Sequence, residues 1–114
     1  MKKLHNILLI LIGTSLIFGC ASIQEAESLY KKGDKEAALN MAISLLDKDD
    51  PGVRMRAVRL IGKVGGKKAG SALRMRIRDA DSKVQKEVIK NLGKIQYEPA
   101  MEDLVDLVAE SDDG

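Results

Sequence analysis

The side chains with the most chemical reach in this chain are few, and most stand where a simpler role explains them. There is one cysteine, Cys20, and one histidine, His5, and His5 lies upstream of Cys20. A thiol with no downstream imidazole lacks the base that activates a cysteine or serine nucleophile. Carboxylates cluster at Asp47, Asp49 and Asp50 and again at Asp112 and Asp113. They sit where helix starts belong, so capping outranks acid-base work, and their spacing lacks the alternating ligands of a calcium loop. Gly65-Gly66-Lys67-Lys68 has neither the glycine spacing nor the Lys-Ser/Thr ending of a phosphate loop, and reads as a turn. No catalytic residue, metal ligand or cofactor site is expected.

Cys20 draws its meaning from what precedes it. Lys2 and Lys3 introduce an apolar run from Ile7 to Phe18, which ends at Ile17-Phe18-Gly19-Cys20. A charged start, a short apolar stretch and a small residue before the cut mark an export signal. The run falls short of the roughly 20 apolar residues that span a bilayer as a helix. The tetrapeptide resembles the bacterial lipobox through Ile17, Gly19 and Cys20, with Phe18 in place of the smaller residue usual there. The resemblance implies removal of a signal peptide over residues 1–19 and attachment of diacylglycerol to the Cys20 thiol. It also implies anchorage of the chain to the cell envelope, since two or three acyl chains hold far more firmly than one. Ala21, rather than Asp, follows the cysteine. In a cell with two membranes that favours the outer membrane, facing the periplasm.

The remainder repeats itself. A shift of 31 residues brings Asp50 onto Asp81, Val53 onto Val84, Gly62 onto Gly93 and Lys63 onto Lys94. The preceding stretch follows the same shift three times, through Ala38, Ala69 and Ala100, then Ala42, Leu73 and Leu104, then Leu46, Ile77 and Val108. Self-similarity at such a period marks stacked repeats. Each unit reads as two helices, one carrying Ala38, Ala42, Leu45 and Leu46, the other Val53, Ala57, Leu60, Ile61 and Val64. Asp50 with Pro51 predicts a capped helix start, as do Ser22 with Glu25 and Ser82 with Gln85; Gly33 and Gly65-Gly66 predict turns.

The run Asp50-Pro51-Gly52-Val53-Arg54 with Ala57-Val58 and Leu60-Ile61-Gly62 is echoed by Asp81-Ser82-Lys83-Val84 with Val88-Ile89 and Leu92-Gly93. This pattern resembles the HEAT-repeat superfamily in its short form. The resemblance implies an all-α fold, a right-handed α-solenoid of stacked antiparallel helix pairs, behind an N-terminal signal segment. Residues 20–33 are expected to form the lipidated start and a capping helix, from about Ile23 to Lys32. Residues 34–114 form the repeat domain, in units of about 34–65, 66–96 and an incomplete third at 97–114. The stretch from Ala26 to Ala42, with Leu29, Tyr30 and Gly33-Asp34, also resembles half a tetratricopeptide unit. The family often links neighbouring units by a polar ladder, a role that falls here on Asp50, Arg54 and Asp81, with Gln85 in place of a second arginine.

Charge is sorted along the chain. Residues 20–114 hold 17 basic and 17 acidic side chains, yet residues 51–96 carry 13 basic against three acidic and residues 97–114 carry seven acidic and none basic. Arg59 and Lys63 align with Lys90 and Lys94 one period on. In the HEAT family those second helices commonly line the concave face, so these four are the candidate site for an anionic partner, the alternatives being a plain solvated face or a match to the acidic end of another copy. The expected function is that of a non-catalytic, membrane-anchored scaffold that binds another envelope protein. Binding of anionic envelope lipid or polymer is the alternative. Nucleic acid is not expected as a partner. The third unit's helix, with Met101, Leu104, Val105 and Val108, predicts an apolar edge, either continued by further units of a longer array or covered by a partner or another copy of the chain.

Overall fold

The computed structural model describes residues 22–112. The segment 1–19, the lipobox-like tetrapeptide and Cys20 lie outside the described residues. Helix α1 spans Ile23–Lys31, α2 Lys35–Ser44, α3 Pro51–Val64, α4 Gly66–Arg74, α5 Ser82–Ile95 and α6 Met101–Asp112. Short 3₁₀ turns, Leu45–Asp47 and Glu98–Ala100, extend α2 and introduce α6. Among the described residues there is no strand.

The helix starts are set by side chains that satisfy otherwise orphaned N–H groups. Ser22 Oγ accepts from the Glu25 N–H, Asp34 Oδ1 from Ala37, and Asp50 Oδ1 from Gly52 with Pro51 at the first helical position. One start differs from expectation. Asp81, not Ser82, caps α5, its Oδ1 accepting from both Lys83 and Val84 at 2.9 and 3.0 Å. A carboxylate one residue upstream reaches two donors at once, so Gln85 is free to turn elsewhere. The predicted turns form with left-handed backbone at Gly33 (φ 92°), Gly65 (φ 71°) and Gly66 (φ 89°). There a side chain would cost strain.

The helices stand in two rows. First helices α2, α4 and α6 form one and second helices α3 and α5 the other, with α1 beside α3 at the head of the second row. The core lies between the rows, where Leu45, Val58, Ile61, Leu73, Val84, Val88 and Leu92 are fully buried. Ala26, Ala38, Ala42, Ala57, Ala69 and Ala100 are also completely buried. Side chains this small let neighbouring helices approach closely. The three alanines that recur at the period, Ala38, Ala69 and Ala100, are thus the repeat's spacing written as volume.

Charged side chains join the units. Among the described residues there are six ion pairs, all made by arginine, and each links neighbouring units. Arg56 pairs with Glu27, Arg59 with Glu87, Arg76 with Asp47, Arg74 with Asp103 and Arg78 with Glu110. The acidic α6 therefore pairs with Arg74, at the end of α4, and with Arg78, in the turn that follows it, within the same chain. The sixth pair, Arg54 with Asp79, is the most buried, with side chains 13% and 2% exposed.

Candidate anion-binding face

Helices α3 and α5 bury Ala57, Val58 and Ile61 and, in register, Val88 and Leu92. Helical periodicity then turns Arg59, Lys63, Lys90 and Lys94 to solvent, and all four are exposed. Their fates differ. Arg59 is spent on the repeat junction, its Nε donating to Glu87 Oε1 at 3.1 Å. Lys63, Lys90 and Lys94 take part in no ion pair among the described residues, nor does any other lysine. Lys83 and Lys86 on α5 are likewise exposed. The free positive charge of α3 and α5 is thus carried by lysine, with Glu87 as the only acidic residue on either helix.

Where α1 meets α3, this face opens into a groove of about 360 Å³ lined by Tyr30, Lys31, Arg56, Arg59, Leu60 and Lys63, with Glu27 as its one acidic residue. Two of the expected residues, Arg59 and Lys63, share it. Lys90 and Lys94 stand further along the row and do not line it. Lys31 and Arg56 were not among the expected residues: Lys31 lies on α1, outside the recognised units, and Arg56 falls one period before Glu87, so no basic pair recurs at its position. Counting α1 as a second helix would have found the region, since Lys32 is one period before Lys63.

The polar ladder is real but uses different partners. Arg54 donates through Nε and Nη2 to the two oxygens of Asp79, at 3.0 Å each, and through Nη1 to the carbonyls of Lys48 and Asp49 at 2.7 and 3.0 Å. Asp81, expected to meet Arg54, is occupied as a cap, and its own N–H donates to Asp79 Oδ1 at 2.9 Å. Asp50 likewise caps α3 and leaves the arginine alone. Gln85, one period beyond Arg54, donates from Nε2 to the Ile77 carbonyl at 2.7 Å and so keeps only the carbonyl half of the arginine's role.

The hydrogen bond to Asp79 holds the Arg54 guanidinium above its usual range against the opposing effect of burial. Burial pushes the Asp79 carboxyl up, but the Arg54 hydrogen bond, the Asp81 N–H and the charges of Arg54 and Arg76 outweigh it, leaving the group below the ordinary aspartate value. This is a structural joint whose donors and acceptors are all satisfied. It has nothing left over for a ligand.

Among the described residues, no group of three His, Cys, Asp or Glu side chains could hold a metal ion, and no helix is long and apolar enough to cross a membrane. Stacked helix pairs with inter-unit ion pairs and a lysine-bearing second row define an α-helical repeat scaffold. The HEAT-repeat family matches residues 39–114, and the chain belongs to that family. No curated protein and no solved structure matches it.

Proposed function

We propose that this chain is a non-catalytic interaction scaffold, tethered to the bacterial cell envelope through lipidated Cys20, that offers the α3 and α5 face of a right-handed solenoid to an acidic protein. One observation carries the reading. The arginines are consumed in holding units together, whereas Lys63, Lys90 and Lys94 stand exposed on neighbouring second helices, without an ion pair among the described residues. Unneutralised charge of one sign attracts and orients a partner of the other sign. HEAT-repeat membership supports a binding role over catalysis, and the segment before Cys20 supports export and anchorage. Ala21 supports the outer membrane where two membranes exist.

The test is affinity capture from detergent-solubilised envelopes with full-length protein as bait, beside a Lys63→Gln/Lys90→Gln/Lys94→Gln variant. An acidic protein retained by the first and lost by the second is expected. Equal recovery by both would end the assignment of this face. The tether is tested separately, by mass: protein extracted from membranes should be heavier than its polypeptide by the attached lipid.

A second reading, binding of anionic lipid or polymer, is favoured by the groove, where cationic Lys31, Arg56, Arg59 and Lys63 surround Tyr30 and Leu60. Binding to vesicles of anionic lipid, absent with neutral lipid and falling steeply with salt, is its expected signature.

A further inference from the structure

Helix α6 exposes a face that the units before it keep covered. Met101, Val105 and Val108 are 62%, 60% and 61% exposed. One and two periods upstream, the position of Met101 is held by Gly70 and Leu39 and that of Val108 by Ile77 and Leu46, all buried. The position of Val105 is held two periods upstream by Ile43, which lines a groove with Ala72, Met75 and Arg76 of the following first helix. These three side chains therefore occupy the surface on which a further unit stacks. The acidic Asp103 and Glu110 turn the other way, toward Arg74 and Arg78.

Helix α5 ends its row in the same manner. Gly93 is in register with Gly62, whose notch is filled by Asn91, yet an added Cβ at Gly93 meets nothing within 4 Å. Lys90 is in register with Arg59, which has Glu87 as its partner, but Lys90 has none among the described residues.

The chain's own N-terminal helices match this surface. The described array opens on a second-type helix, α1, followed by a first-type helix, α2, so a second copy placed after α6 continues the alternation. Its residues then fall three 31-residue periods further along. Contacts inside the array occur at fixed separations: 28 for Arg59 with Glu87, and 29 for Arg74 with Asp103. Applied across the junction, a separation of 28 sets Lys90 against Glu25 of the second copy. The separation of Gly62 from Asn91 sets Gly93 against the second copy's Leu29, and that of Arg74 from Asp103 sets Val105 against the second copy's Met41. The cation-anion contact is preserved, the open glycine notch receives an apolar side chain, and an interior ion pair is replaced by two apolar residues. Glu25, Leu29 and Met41 are each partly exposed in the single chain.

We propose that this face binds a second copy of the chain head to tail, with the α1 and α2 surface of one copy stacked on α5 and α6 of the other. Such a heterologous contact leaves a free face at each end of the pair, so association continues into open-ended oligomers as concentration rises. This proposal meets the acidic partner proposed above at Lys90 alone, because it leaves Lys63 and Lys94 out of the junction.

The test uses the full chain in mild detergent, with Cys20→Ser in every variant so that the introduced thiols are the only ones. Mixing a tagged Val105→Cys chain with an untagged Met41→Cys chain under mild oxidation is expected to give disulfide-linked mixed dimers, while each single variant alone stays monomeric on a non-reducing gel. By sedimentation, the mass of the Cys20→Ser chain should grow with concentration. Val105→Asp should hold it at the monomer with unchanged helical circular dichroism. Lys90→Glu should weaken association by roughly tenfold or more, and adding Glu25→Lys to the same chain should restore it. This charge exchange decides the matter even if Val105→Asp disturbs folding. A monomer mass at every concentration, a disulfide dimer of Val105→Cys with itself, or failure of Glu25→Lys to rescue would overturn the proposal.

Discussion

Asn91 packs its side chain into the space left by the missing side chain of Gly62, so closely that a Cβ there would lie 1.9 Å from Asn91 Oδ1. Asn91 is the one buried polar residue of the described structure, 3% exposed, and its Nδ2 donates to the Glu87 carbonyl at 2.8 Å. A glycine in the last turn of α3 is thus tied to the asparagine of the next unit, and the two set how closely α3 and α5 approach.

This pairing predicts opposite outcomes for the same substitution at equivalent positions. Gly62→Ala should lower stability by about 1–3 kcal/mol, because Asn91 must leave its site and its hydrogen bond. Gly93→Ala meets no neighbour within 4 Å and should raise the stability of the monomer by about 0.5–1 kcal/mol through helix propensity. Urea unfolding of the two variants at low protein concentration, followed by circular dichroism, measures both.

Acid should loosen the joint between units. The Asp79 and Glu110 carboxyls are held below their ordinary values of 3.8 and 4.5. A depressed carboxyl contributes stability above its unfolded pKa and loses it as pH falls through the folded value. Unfolding midpoints should therefore be flat from neutrality to about pH 5 and then fall steadily on further acidification. Asp79→Asn should be less stable at neutral pH and show a shallower acid dependence, which a pH series of urea melts reads directly.

The C-terminal helix should be the softest part of the array. It is held by partly buried Leu104 and Leu107 and by its pairs to Arg74, at the end of α4, and to Arg78 in the turn beyond, all at or near the surface. Arg74→Gln/Arg78→Gln should speed amide exchange across residues 101–112 while leaving α3 and α5 protected. High salt should act in the same direction, since exposed pairs are screened.

Neutralising lysines should not unfold anything. Lys63→Gln, Lys90→Gln and Lys94→Gln are each expected to fall within about 0.5 kcal/mol of wild type, as for exposed sites without partners. Leu73→Ala, which hollows a fully buried site between the rows, should cost about 2–5 kcal/mol. Thermal melts of the four variants distinguish scaffold from surface.

The period of 31 made the helix pairs, their turns and the buried stripe legible before any coordinates, because apolar spacing and cap residues are local properties. The ladder was only half legible. That Arg54 bridges units was implied by the resemblance to HEAT repeats, but its acceptor, Asp79, lies in a loop whose path depends on Asp81 being drawn into capping α5. The same limit applied to charge. The sequence showed a basic middle and an acidic end, whereas only their stacking reveals that α6 takes up Arg74 and Arg78 and leaves the lysines of α3 and α5 without an ion pair among the described residues. Lys31 was missed because α1 was read as a cap and not as a member of the second row, and Arg56 because its counterpart one period on is the acidic Glu87.

The division of labour between two kinds of cation has a consequence for how such a molecule changes over generations. Guanidinium groups act as the mortar and ammonium groups as the paint. A lineage can therefore recolour the exterior of α3 and α5, one lysine at a time, to court a new ally without loosening any course of the masonry beneath.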